Sequence, residues 1–142
     1  MKLVKGLAIF VFSSLVLNSC FSSSASTTVV NKNKSMLYNT TWKLVEDNEV
    51  VKGFNQADVS LTIDPNEFKV SGYAGCNNFN TTAELDNGSI KFGPIISTKI
   101  LCPNSKTEQN YLSVLDDVNR YEIKGNELYF YKNNILLLKF KN

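Results

Sequence analysis

The 142-residue sequence contains no histidine. That absence removes Ser-His-Asp and Cys-His catalysis, His-ligated zinc and imidazole-based pH switching. Arg120 is the single arginine, too little for a bidentate phosphate clamp. No glycine-rich phosphate loop leads into a helix, and no Cys-x-x-Cys spacing suggests a redox pair. Charge is scarce as well. The formal net charge is +2, and setting aside Lys2 and Lys5 leaves thirteen basic residues against thirteen acidic ones. A neutral domain carries no electrostatic footprint for nucleic acid. The apolar run from Leu7 to Leu17 is about half of the ~20 residues a membrane-spanning helix needs. No long internal repeat is present.

What is there begins with an export pattern. "MKLVKGLAIFVFSSLVLNSC" has a basic start, a short apolar core and small residues before its end, the anatomy of a signal peptide. Its ending, Leu17-Asn18-Ser19-Cys20, resembles the lipobox of bacterial lipoproteins. That resemblance implies cleavage before Cys20, lipidation of its thiol and acylation of the new amine, with residues 1–19 as the signal peptide. Phe21 follows the cysteine rather than aspartate, which by the sorting habit of many Gram-negative lipoproteins implies the outer membrane. Several acyl chains hold a protein stably where one does not. An ordinary signal peptide that happens to contain a cysteine is the alternative. Residues 20–35 are rich in Ser, Thr and Asn without apolar periodicity, and read as a flexible tether. Residues 36–142 are then one domain, of ordinary globular composition at 43% hydrophobic and 20% charged. Its core is small enough to benefit from a cross-link.

Within that domain the period is mostly two. "TWKLVED" alternates, with Trp42 and Leu44 on one face. "VSLTIDPNEFKVSG" holds two runs joined at Asp64-Pro65-Asn66-Glu67, with Leu61 and Ile63 facing Phe68 and Val70. Asp86-Asn87-Gly88-Ser89 is a hairpin signal, because Asn-Gly tolerates positive φ at both turn positions. The C-terminal stretch reads as three short strands broken at Lys124-Gly125-Asn126 and Lys132-Asn133-Asn134. In it Leu128 and Phe130 share a face, as do Leu136, Leu138 and Phe140, with Tyr129 and Tyr131 opposite. Only "SKTEQNYLSVLDDV" has helical spacing, through Tyr111, Leu112, Leu115 and Val118. Ser105 and Glu108 fit a capping box at its start. These periods predict a mainly β, α+β domain: an antiparallel sheet or partly open barrel with one covering helix. Asp116 and Asp117 are adjacent on the helix, so their carboxylates diverge and read as a solvated face.

Three cysteines remain to be placed. With Cys20 taken by lipid, Cys76 and Cys102 would lie in an oxidising compartment where a disulfide is the default, two buried free thiols being the alternative. "SGYAGCNNFN", followed by "FGPIISTKILCP" and then Glu108 with an amphipathic helix, closely resembles the META domain, also called HslJ-like. The residues that carry the resemblance are Gly72, Gly75, Cys76, Asn77, Phe79, Phe92, Thr98, Cys102, Pro103 and Glu108, with Trp42 matching an early strand. It spans about 37–140. Asn78 stands where that family usually has arginine, and Thr81 where it often has glycine. The resemblance implies a compact β-rich domain with a helix, common in envelope lipoproteins and associated with stress phenotypes rather than an established catalytic activity. It also implies that Cys76 reaches Cys102.

The motif residues have structural readings of their own. Gly72 and Gly75 allow a bulge or a close backbone approach, and the Asn77 amide can satisfy irregular backbone. We therefore expect no catalytic residue, metal or cofactor, and no nucleic-acid partner. The expected partners are the membrane, through Cys20, and an envelope protein. The competing expectation is a carrier of a small apolar molecule in the curved sheet. A filled interior would count against it, and exposure of Tyr73, Tyr129 and Tyr131 together would favour a binding face.

Overall fold

The structure is a computed structural model, described here for residues 35–142 apart from Asn104. The expected signal peptide, Cys20 and the expected tether up to residue 34 lie outside the described residues.

Among the described residues, after a helical turn at Ser35–Leu37, ten strands and one longer helix follow in order. They are β1 (Trp42–Glu46), β2 (Glu49–Val50), β3 (Ser60–Ile63), β4 (Lys69–Tyr73), β5 (Asn78–Asp86), β6 (Ser89–Phe92), β7 (Ile96–Ser97), α1 (Lys106–Asp116), β8 (Arg120–Lys124), β9 (Glu127–Lys132) and β10 (Ile135–Lys141). All pairings between strands are antiparallel, in the order β1-β3-β4-β5-β6-β8-β9-β10. β10 then returns to β1, with Leu44 opposite Phe140. The result is a closed eight-strand meander, which leaves no long free edge. β2 extends one side of β1, and β7 pairs with β5 at Phe79 and Asn80. The thinnest seam is β6–β8, held in register by Ser89 and Arg120 alone.

Turn chemistry explains the hairpins. Asn87 (φ 37°) and Gly88 (φ 90°) take the left-handed conformations of a type I′ turn. Asp47 (φ 48°) and Asn48 (φ 69°) do the same between β1 and β2, a turn missed by the reading of the sequence alone. Asp64 Oδ1 accepts from the Asn66 amide at 2.8 Å, an Asx turn after β3.

Alternation sends Phe79, Thr81 and Ala83 of β5 inward, together with Leu128 and Phe130 of β9. Trp42, Phe79, Phe130 and Phe140 are fully buried and fill the interior. Phe130 meets Phe92 and Phe140 edge-to-face, with ring centroids 5.6 and 5.3 Å apart, the arrangement that aromatic quadrupoles favour. The Trp42 indole donates to the Leu37 carbonyl at 3.1 Å, tying the chain before β1 to the core.

Two residues expected inside are outside. Phe68 has φ 51° and is exposed, because the turn runs one residue longer than its polar letters suggest. Leu136 is 49% exposed, whereas Leu138 and Phe140 are buried. A bulge between Leu136 and Leu138 shifts the β9–β10 register by one residue, which reverses the facing of everything before it.

α1 lies across one end of the barrel. Tyr111 sits edge-on to Phe79 and Phe140, with centroids 5.8 and 6.3 Å away, and Leu115 is fully buried. Leu112 is half-buried, and Val118 packs inside just beyond the helix. The Tyr111 hydroxyl is buried with no hydrogen-bond partner among the described residues. Burial alone pushes this phenol far above its ordinary pKa, so it stays neutral. Removing an unpartnered buried hydroxyl removes its desolvation penalty. Tyr111→Phe is therefore expected to stabilise the domain by about 1 kcal/mol, read as a raised midpoint in urea unfolding with unchanged slope.

Candidate functional site

The glycine-flanked segment after β4 meets the loop before α1 and forms a knot at the end of the barrel that α1 covers. Each turn of it has a local cause. Gly72 lies opposite Phe79 in the β4–β5 register, and a Cβ there would come 2.0 Å from the Ser60 carbonyl oxygen. Gly75 has φ +108°, which an L side chain rarely adopts. That conformation turns its carbonyl toward two donors, the Tyr73 hydroxyl at 2.8 Å and the Phe54 amide at 2.6 Å. Gly53 approaches the same carbonyl so closely that a Cβ would lie 2.4 Å away.

Cys76 and Cys102 are joined by a disulfide, with Cα atoms 6.2 Å apart across a sequence separation of 26. Cys76 is buried and Cys102 half-buried.

Asn77 is the centre of the knot and is only 5% exposed. Its Oδ1 accepts from the Thr98 hydroxyl and the Ile100 amide, both at 2.7 Å. Its Nδ2 donates to the Ile100 carbonyl at 3.1 Å and to Glu108 Oε2 at 3.0 Å. Its own amide donates to Glu108 Oε2 at 2.9 Å, and its carbonyl accepts from the Ala74 amide at 2.9 Å. One side chain thus grips both backbone groups of Ile100 and one carboxylate from the helix. Every donor and acceptor of the residue is occupied.

Glu108 differs from its expected role. Ser105 makes no side-chain cap bond, so there is no capping box. The Glu108 carboxylate points away from its own helix start and holds Asn77, 31 residues earlier. A charged acceptor shared by a backbone and a side-chain amide is a stronger link than a neutral one.

The remaining motif residues fall around this centre. Phe79 is buried against Tyr111, and Pro103 is exposed beside Cys102. Thr81, where glycine is common in the family the sequence resembles, is buried and donates its hydroxyl to the Gly93 carbonyl at 2.8 Å. Asn78, in place of arginine, is exposed, and its backbone carbonyl accepts from the Thr98 amide. The backbone of Ile100 is a member of the knot that the sequence reading missed. The Thr98-x-Ile100-x-Cys102 spacing was the available signal, since it sets the three residues on one side of an extended chain.

Other features are less suited to chemistry. Tyr129 and Tyr131 stack on the outer face with centroids 6.5 Å apart, but Tyr73 lies at the knot and is not with them. The Arg120 guanidinium covers Tyr131 at 3.9 Å. Lys124 and then Arg120 hold the Glu122 carboxyl down to about 2. This ladder is paired within itself. A groove of roughly 500 Å³ runs on the surface between α1 and the β1–β10 side, over Leu44, Val51, Val114 and Leu138. The barrel interior is occupied by rings, which counts against a carried molecule there. Among the described residues no cluster of three or more Cys, Asp or Glu side chains could hold a metal ion.

The fold is similar to two solved structures. An NMR structure of a protein from Burkholderia xenovorans is 23% identical, with a TM-score of 0.59 over 75% of this chain and 83% of that one. A second NMR structure is 18% identical, with a TM-score of 0.58 over 75% of this chain and 92% of that one. At such identities the likeness is one of fold. No curated protein matches the sequence. The META domain profile matches residues 35–142, and the chain belongs to the META domain family.

Proposed function

We propose that this META-domain chain is a non-catalytic envelope module, held at the outer membrane by lipid on Cys20 and facing the periplasm. It acts there by position and by contact with another envelope protein, in keeping with the stress association of the family. The observation that carries the non-catalytic part is the saturation of Asn77. A catalytic amide or carboxylate needs a free lone pair or proton to offer a substrate. Here Oδ1 and Nδ2 are committed to the protein's own groups, and Glu108 Oε2 is held by the Asn77 amide and Nδ2. The Leu17-Asn18-Ser19-Cys20 ending supports the anchoring part.

Anchoring is tested on protein purified from membranes. Mass spectrometry should show a mature N-terminus at Cys20 carrying acyl chains, and Cys20→Ser should leave an unacylated precursor. An unmodified Cys20 in the wild-type protein would remove the anchor. Turnover of any substrate by purified protein that is lost in a fully folded Asn77 variant would remove the non-catalytic reading.

A further inference from the structure

The segment between β6 and α1 carries an apolar tip that the fold does not use. Leu101 is 98% exposed, Ile96 72% and Ile100 63%. Three large aliphatic side chains within six residues, from β7 into the loop after it, are costly to leave in water. The loop is nevertheless fixed from behind, by the Cys76–Cys102 disulfide and by the Asn77 grip on Ile100. Exposed Phe54, whose amide bonds Gly75, adds a ring at the same end of the barrel.

The charges within the segment itself are lysines, and the Glu108 carboxylate just beyond it is turned to Asn77 behind the loop. Residues 87–107 contain Lys91, Lys99 and Lys106 and no aspartate or glutamate. Lys91 lies opposite Glu84 in the β5–β6 register. Lys99, between Thr98 and Ile100, is exposed and takes part in none of the ion pairs among the described residues. Lys106 is also exposed.

We propose that the Ile96–Leu101 tip docks on an anionic lipid surface, with Ile100 and Leu101 entering the headgroup boundary and Lys99 meeting lipid phosphates. Apolar side chains that dip below the headgroups, flanked by lysine, are the chemistry that such a surface selects. The tip need not face the root of the tether. Tyr38 bridges to Ile63, at the far end of β3 from the knot-side pair Ser60–Tyr73. Fourteen residues separate Cys20 from Ser35 and can span at most about 50 Å. A domain of this size is about 34 Å across, so a chain held at Cys20 can lay the opposite end on the same membrane.

The test places a reporter on the tip of the full chain. Leu101→Trp substitutes an exposed side chain, and Trp42 supplies a constant buried background. With phosphatidylglycerol vesicles, emission from residue 101 should shift to the blue and be quenched by brominated acyl chains, and much less so with phosphatidylcholine. Adding Lys99→Gln should weaken the apparent partitioning about fivefold, and raising the salt should weaken it further. Water-like emission in both vesicle types would overturn the proposal and leave a protein as the occupant of the tip. Equal quenching in both would also overturn it, because Lys99 would then contribute nothing. Repeating the comparison in a Cys20→Ser background separates docking of the tip from delivery by the acyl chains.

Discussion

Asn77→Ala is expected to lower the stability of the domain by about 3 kcal/mol, and its thermal midpoint by about 12 °C. The cost lies in the groups left behind: both backbone groups of Ile100, the Thr98 hydroxyl and the Glu108 carboxylate all lose a partner at once. A stranded buried group costs about 1–3 kcal/mol, and the half-exposed members recover part of that from water. Asn77→Asp is the sharper control. It keeps the shape and both acceptor bonds, but sets a second carboxylate against Glu108. Two adjacent carboxylates resist ionising together, so their pKa values in the folded state rise above those in the unfolded state. The variant should then be most stable at acid pH, below the unfolded values, and lose stability as pH rises through the folded ones. Urea unfolding of the three proteins between pH 4 and 8 measures both effects. Wild-type-like stability in Asn77→Ala would mean that the knot contributes nothing.

Loss of the disulfide is the second large effect. Cys76→Ser together with Cys102→Ser opens a loop spanning a separation of 26 residues. The chain-entropy account gives about 3.5 kcal/mol for a loop of that length, a large share of a small domain's total. The loss should appear in urea unfolding of the double variant. It should appear equally in wild-type protein unfolded under reducing conditions, because both routes free the same segment. Agreement between the two separates the cross-link from the packing of the sulfur atoms. If reduction shifts the midpoint by less than about 1 kcal/mol, Asn77 alone holds the loop and the cross-link is redundant.

How far the sequence reveals this arrangement depends on the range of each interaction. The Asn87-Gly88 turn and the alternation in β5 and β9 are local, and they are legible because three or four neighbouring residues decide them. The pairing of Cys76 with Cys102 is long-range, yet it is legible because few partners exist. Leu136 and Phe68 mislead for one reason: a single bulge or one extra turn residue reverses the face that a strict period-two reading assigns. Glu108 misleads differently. Its spacing from Ser105 satisfies a local rule, but a buried amide 31 residues away offers two donors at once and outcompetes the helix cap. Closure of β10 on β1 has no short signature either, since it follows from the sum of strand tilts around the barrel.

The direct test of the knot as a structural clamp is a double-mutant cycle on Asn77→Ala and Glu108→Ala, followed by denaturant unfolding at neutral pH. A clamp predicts strong coupling. Either single change strands the other's groups, and the double change costs about 2 kcal/mol less than the sum of the two. Additivity within about 0.5 kcal/mol would contradict the account, because the two residues would then act separately and the saturation of Asn77 would not be what holds this end of the barrel.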